Sequence, residues 1–126
     1  MPTIAVLGAS SVRRKFGNKC VRAYLSRGYT VYPIHPAETE IEGLPVYALI
    51  AAVPAGKLDR VSVYLAPGVG LPVLPELAAR GDIGEVWLNP GTVSPEILAL
   101  GKQLGLNLIQ ACSIVDIGVS PGDLPE

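Results

Sequence analysis

Long hydrophobic runs are absent from this sequence. Hydrophobic residues make up 49% of its 126 residues, but glycine, proline or charge interrupts every apolar stretch before the roughly 18 residues of a membrane span. Met1-Pro2-Thr3 leads into an apolar segment without the basic region and cleavage site of a signal peptide. We therefore expect a protein with no membrane partner and a cytoplasmic location.

Cysteine and histidine are scarce, which limits the available chemistry. The two cysteines, Cys20 and Cys112, form no Cys-x-x-Cys pair, and His35 is the single histidine. These residues predict neither a metal site nor a disulfide framework. We expect no catalytic residue. General-base catalysis by His35 and a mixed disulfide of Cys112 with a thiol ligand are the alternatives.

Excess positive charge is also missing, since the formal net charge is -1. A broad basic face is what phosphate-backbone binding requires, so the composition argues against nucleic acid as a partner. The basic residues are nevertheless clustered. Half of the ten lie within ten positions, at Arg13, Arg14, Lys15, Lys19 and Arg22. Such a cluster is either a solvated surface or a site for an anion.

The chain alternates between strand and helix patterns. Predicted strands cover residues 3–7, 30–34, 60–66, 85–88 and 106–110, and predicted helices cover residues 18–27, 72–80 and 95–104. This alternation indicates one α/β domain over residues 1–126, a Rossmann-like open parallel sheet of about five strands with helices on both faces. We expect the strand order 3-2-1-4-5. Ligands of such sheets lie beyond the carboxyl ends of the strands.

The loop after the first predicted strand has the character of a phosphate site. It reads Gly8-Ala9-Ser10-Ser11, and its small residues would let backbone amides approach an anion. The dinucleotide fingerprint Gly-x-Gly-x-x-Gly is absent, and the second strand ends at His35-Pro36, with Glu38 as the nearest carboxylate. Both features disfavour NAD. The basic residues that follow suit a polyphosphate such as coenzyme A.

Several segments together resemble one family. They are residues 4–10, 28–36, 43–47 and 85–88, with Gly91 and Ala111-Cys112. The sequence resembles the stand-alone coenzyme A-binding domains, which are similar to the N-terminal domain of the succinyl-CoA synthetase alpha subunit. His35 stands where relatives usually carry asparagine, and Ala37 and Glu38 occupy the region where the synthetases carry a lysine.

The resemblance implies a set of ligand contacts. Gly8, Ala9 and Ser10 would cradle the phosphates, Arg13 and Lys15 would reach them, His35 and Pro36 would border the adenosine, and Ala66, Pro67 and Gly68 would face the ligand. It implies binding of coenzyme A or an acyl-coenzyme A without ligase activity, because the synthetases carry their catalytic phosphohistidine in a second domain.

Two other classes of function stay open. One is an NAD(P)-binding oxidoreductase or redox sensor, against which the missing glycine and strand-end acid argue. The other is a ligand-free protein-interaction domain, with a homodimer or an unidentified protein as its partner.

Overall fold

A parallel sheet of five strands organises the chain. The computed structural model describes residues 1–54 and 56–126. In chain order the elements are β1 (Thr3–Leu7), α1 (Phe16–Ser26), β2 (Thr30–Ile34), β3 (Glu40–Ile41), β4 (Leu44–Pro45), β5 (Leu58–Val63), α2 (Pro67–Gly70), α3 (Leu74–Arg80), β6 (Ile83–Leu88), α4 (Pro95–Gln103), β7 (Leu108–Ile109) and α5 (Ser113–Asp116). Short 3-10 turns cover Ile50–Ala52, Leu71–Val73 and Pro121–Asp123. The predicted α/β class is confirmed, and α5 lies in a tail for which no helix was predicted.

The predicted strand order is wrong. The sheet runs β2-β1-β5-β6-β7. The third predicted strand corresponds to β5, which lies beside β1, whereas the prediction placed it on the outer side of β2. Pro33 gives the physical reason. Its carbonyl accepts a hydrogen bond from the Tyr47 amide at 3.0 Å, on the side away from β1. The N–H and C=O of one strand residue point to the same side of the strand, so the side on which Pro33 lacks an N–H is also the side away from β1. A full neighbouring strand on that side would miss one hydrogen bond, which is tolerated only at the edge of a sheet. The proline therefore places β2 at the edge of the main sheet.

Both faces of the sheet are covered, as predicted. On β1, Ala5 and Leu7 belong to the core packed against α3 and α4, while Ile4 and Val6 belong to the core around α1 and α5. Burial on both faces explains why β1 is continuously apolar and does not alternate with polar residues. Within the two described segments of the chain, no helix is long and apolar enough to cross a membrane.

The helix starts follow local signals. Ser94 caps α4, with its hydroxyl accepting a hydrogen bond from the Ile97 amide at 3.1 Å, and Pro95 takes the first helical position. The helical region after β5 starts earlier than predicted, at Pro67, and passes through a 3-10 turn into α3. Its three segments each tolerate a proline because the proline lies in their first turn.

Asn89, directly after β6, joins three elements at the carboxyl edge of the sheet. Its amide nitrogen donates to the Ser62 hydroxyl and the Val63 carbonyl, both at 2.9 Å, and its oxygen accepts from the Ser113 amide at 2.9 Å. The side chain is almost fully buried. Since buried polar groups are costly to leave unpaired, this one residue holds α5 against β5 and β6.

Replacing Asn89 with alanine tests this role. Asn89→Ala leaves the Val63 carbonyl and the Ser113 amide buried without partners, so we expect the free energy of unfolding to fall by about 2–4 kcal/mol in urea titrations. Asn107→Ala is the matched control, because Asn107 is exposed and its side chain makes a long hydrogen bond of 3.5 Å to the Gly84 carbonyl, while the backbone carbonyl of Asn107 that pairs with Val86 is kept in the variant. Equal losses in both variants would contradict the role given to Asn89.

Candidate functional site

A cavity of about 520 Å³ opens beyond the carboxyl ends of β1, β2 and β5. The chain leaves β1 toward β2 on one side, and β5 lies on the other side. This reversal of strand order is where open α/β sheets bind ligands. The lining residues are Leu7, Gly8, Ala9, Ser10, Lys15, Phe16, Gly17, Ile34, His35, Pro36, Ala48, Leu49, Ile50, Tyr64, Leu65, Val69, Val73 and Glu76.

Two glycines bring the loop after β1 and the start of α1 together. Gly8 has φ of 83°, and a Cβ there would lie 2.5 Å from the Tyr64 carbonyl oxygen. A Cβ on Gly17 would overlap the carbonyl oxygen of Gly8. Side chains are excluded at both positions, so backbone packs directly on backbone and the first turn of α1 forms part of the cavity wall.

At the start of α1, the amides of Phe16 and Gly17 have no hydrogen-bond acceptor in the part of the chain that the structure describes. The N-cap residue, Lys15, has extended backbone and no capping hydrogen bond from its side chain, and the first turn contains no acidic residue. The first amides of a helix have no partner within the helix, and the helix dipole makes this end positive. Phe16 and Gly17 both line the cavity. The wall therefore favours a negatively charged group.

The residues of the basic cluster have different roles. Lys15 lines the cavity, whereas the Arg13 guanidinium lies 3.7 Å from the Glu42 carboxylate, on the turn between β3 and β4. Arg22 donates a hydrogen bond to the Arg13 carbonyl at 2.9 Å and so stabilises the loop. Lys19 is buried beside Phe16, with its ammonium 5.6 Å from the ring centroid. Of the two predicted phosphate-binding cations, Lys15 alone is on the cavity wall.

Asn18 fixes the loop and was missed in the sequence. Its side-chain amide donates to the Ser10 carbonyl at 2.9 Å and to the Glu42 carboxylate at 3.1 Å, and the residue is fully buried. It thereby ties the loop after β1 to α1 and to the β3–β4 turn. No motif in the sequence signals a contact to a turn 24 residues away.

Six of the predicted binding residues line the cavity and four do not. Those on the wall are Gly8, Ala9, Ser10, Lys15, His35 and Pro36, and those outside the lining are Arg13, Ala66, Pro67 and Gly68. The residues that flank the last three, Leu65 and Val69, do contact the cavity. The turn after β5 thus reaches the site through its apolar side chains.

An apolar rim was not predicted. Phe16, Leu49 and Val69 line the cavity and remain 52%, 58% and 60% exposed, respectively. They come from α1, from the segment before the first 3-10 turn and from α2. Large apolar side chains left open around a cavity are typical of a ligand-binding wall. Only the tertiary structure brings these three segments together.

His35 and Glu38 form a turn above the loop. The Nδ1 atom of His35 accepts hydrogen bonds from the amides of Ala37 at 3.0 Å and Glu38 at 2.9 Å. The Glu38 carboxylate accepts from the Ser11 amide at 3.1 Å. Hydrogen bonding from the Ser11 side chain, together with this amide, holds the pKa of Glu38 below its usual value. His35 therefore contributes a structural hydrogen-bond acceptor at Nδ1.

The cysteines differ in environment. Cys20 is fully buried, and burial raises the pKa of its thiol to about 11, so the thiol stays protonated at neutral pH. Cys112 is partly exposed at the start of α5 and is not part of the cavity lining. The Tyr64 hydroxyl lies buried near Cys20, and burial raises its pKa as well. Cys20 and Tyr64 thus stay protonated at neutral pH.

The C-terminal tail contains a pattern that also occurs in hydrolases. Residues 118–122 read Gly-Val-Ser-Pro-Gly and match the nucleophile motif Gly-x-Ser-x-Gly of hydrolases. That motif requires a sharp turn from a strand into a helix. Ser120 instead lies between α5 and a 3-10 turn in the C-terminal tail. The match gives Ser120 no catalytic role.

Most of the chain matches one family model. The model of a family described as CoA binding domain matches residues 2–118. The chain is 26% identical to the acetate–CoA ligase [ADP-forming] I of Archaeoglobus fulgidus over 116 residues, covering 84% of the chain and 17% of that ligase. The chain thus spans about a sixth of the length of this curated relative.

Two solved structures extend the likeness. A conserved hypothetical protein from Pyrococcus furiosus superimposes with a TM-score of 0.83 at 32% identity, covering 92% of this chain and 99% of that one. The dinucleotide-forming acetyl-coenzyme A synthetase 1 of Candidatus Korarchaeum cryptofilum superimposes with a TM-score of 0.75 at 25% identity, covering 86% of this chain and 25% of that one.

Alanine substitution of Gly17 tests the contact that shapes the cavity. The new Cβ of Gly17→Ala meets the Gly8 carbonyl, so we expect the free energy of unfolding to fall by about 1–3 kcal/mol in urea titrations. Gly68→Ala is the matched control, because it also lies in a helix and its Cβ meets open space. The control should be unchanged or slightly more stable. A Gly17→Ala protein as stable as the control would show that the contact is not tight.

Proposed function

The chain belongs to the CoA binding domain family, and on that premise we propose that it binds coenzyme A or an acyl-coenzyme A in the cavity beyond β1. The observation that supports this most is the combination of the glycine-built loop, the open start of α1 and Lys15 on one wall of the cavity. The proposal is for a binding module that catalyses no reaction of its own.

The phosphates of coenzyme A suit the wall formed by the loop after β1 and the start of α1. The ligand carries a pyrophosphate and a 3'-phosphate, which need amide donors and a positive charge. The amides of Ser10, Phe16 and Gly17 would supply the donors, and Lys15 would supply the charge. The Ala9 amide already donates to the Ile34 carbonyl at 3.3 Å. Gly8 and Gly17 allow the loop and the first turn of α1 to pack closely, which brings the three donor amides together on one wall of the cavity, where an anion could bind.

Apolar parts of the ligand suit the exposed side chains of the rim. The adenine ring has apolar faces, and the pantetheine chain contains methyl and methylene groups beside its amides. Phe16, Leu49 and Val69 are exposed at the rim. Covering them would remove apolar surface from water, which favours binding. The cavity volume of about 520 Å³ lies within the range of ordinary ligand sites, roughly 300–1,000 Å³.

The site chemistry supports binding without catalysis. The Nδ1 lone pair of His35 is taken up by two backbone amides, and the Cys20 thiol is buried and protonated. Neither group is placed to act as a base or a nucleophile. The ligase activity named for the Archaeoglobus fulgidus relative is therefore left out of the proposal.

Isothermal titration calorimetry with coenzyme A tests the proposal and the role of Lys15. Wild-type protein should bind coenzyme A, and Lys15→Ala should weaken binding about tenfold, as loss of one charged contact to phosphate does. Arg13→Ala is the matched control that also removes one positive charge. It should weaken binding less than about threefold, because Glu42 already pairs with Arg13 at the surface.

Three results would count against the proposal. A wild-type protein that binds no coenzyme A would overturn the function. Binding of NAD in place of coenzyme A would favour the dinucleotide alternative. Equal losses from Lys15→Ala and Arg13→Ala would mean that general charge, and not the position of Lys15 on the cavity wall, attracts the ligand.

A further inference from the structure

A carboxylate of the protein already occupies part of the proposed phosphate loop. The Glu38 side chain reaches back from the turn after β2, and its Oε2 atom accepts a hydrogen bond from the Ser11 amide at 3.1 Å. Ser11 directly follows the cavity residues Gly8, Ala9 and Ser10. A negative charge thus rests on an amide donor of the same loop that would hold the ligand's phosphates.

The turn after β2 holds this carboxylate in place. The Nδ1 atom of His35 accepts from the amides of Ala37 and Glu38, which fixes the backbone of Glu38 over the loop. The carboxylate also lies 3.8 Å from the Nε2 atom of His35, and its side chain is only 25% exposed. Hydrogen bonding from Ser11 favours the ionised form of this carboxylate most, and the positive charge of Lys15 adds to it. Glu38 is therefore a fixed anion beside the loop.

A backbone amide has one hydrogen to donate, so a carboxylate and a phosphate compete for the same amide. Their like charges also repel each other where both lie beside the loop. We propose that Glu38 is a built-in competitor for the anionic ligand and weakens its binding, so that this residue sets the affinity of the site. The inference rests on the proposed function, because it assumes that the ligand's phosphates use this loop.

If Glu38 instead binds the ribose of the ligand, the affinities of its variants should follow a different pattern. Acidic residues after the second strand of dinucleotide-binding domains accept hydrogen bonds from ribose hydroxyls. In that role, removing the carboxylate would weaken the binding of ligands with a free ribose. Competition at the loop predicts that every ligand carrying a pyrophosphate gains, whether or not its ribose is phosphorylated.

The test compares three variants with three ligands by isothermal titration calorimetry. Glu38→Gln removes the charge, Glu38→Ala removes the charge and the acceptor, and Glu40→Gln is the control for net charge at an exposed position on β3. The ligands are coenzyme A, dephospho-coenzyme A and inorganic pyrophosphate. Both Glu38 variants should bind all three ligands roughly three- to tenfold more tightly than wild type, and Glu40→Gln should bind as wild type does.

The outcomes separate this inference from the proposed function. If wild type binds coenzyme A and neither Glu38 variant gains affinity, competition is overturned and the function stands. A loss of dephospho-coenzyme A binding in both Glu38 variants would assign Glu38 to the ribose and also overturn it. If no variant binds coenzyme A but the Glu38 variants gain pyrophosphate affinity, the function fails and competition stands. No gain with any ligand overturns competition. Circular dichroism of each variant checks that the fold is kept.

Discussion

The Gly8 carbonyl packs against the backbone of Gly17, and the candidate site is built around this contact. It brings the start of α1 onto the loop after β1 and leaves no space for a side chain on Gly17, while the Tyr64 carbonyl leaves none on Gly8. One turn of helix, one loop and Lys15 then form a continuous wall. Asn18 locks this arrangement through the Ser10 carbonyl. A positive surface for an anion follows from backbone geometry, with few charged side chains involved.

The order of the strands completes the site. Because Pro33 places β2 at the edge, β5 lies beside β1, and the Tyr64 amide donates to the Leu7 carbonyl at 2.8 Å. Tyr64 and Leu65 therefore form the wall opposite β2. The order expected from the sequence would have placed these two residues beyond β2 and far from Gly8. The cavity is flanked by β2 on one side of β1 and by β5 on the other, so it depends on the observed strand order.

Local sequence patterns predicted turns and helix starts correctly, whereas contacts between distant segments were not predicted. Gly8 after an apolar strand and Ser94-Pro95 before a helix each predicted the structure found there. Pro33 also carried the edge-strand signal, although the predicted order ignored it. Three features of the site join segments that are distant in sequence. They are the ion pair of Arg13 with Glu42, the hydrogen bond of Glu38 with Ser11, and the apolar rim. Such contacts depend on tertiary packing, for which one sequence contains no periodicity or motif.

The central claim is that coenzyme A binds at the wall formed by the loop after β1 and the start of α1. The most direct measurement is the amide nuclear magnetic resonance spectrum of ¹⁵N-labelled protein during titration with coenzyme A. The account predicts that the largest shift changes fall on the amides of residues 8–11 and 15–17. Saturating changes confined to the opposite edge of the sheet, around residues 81–84, or no change at all, would contradict it.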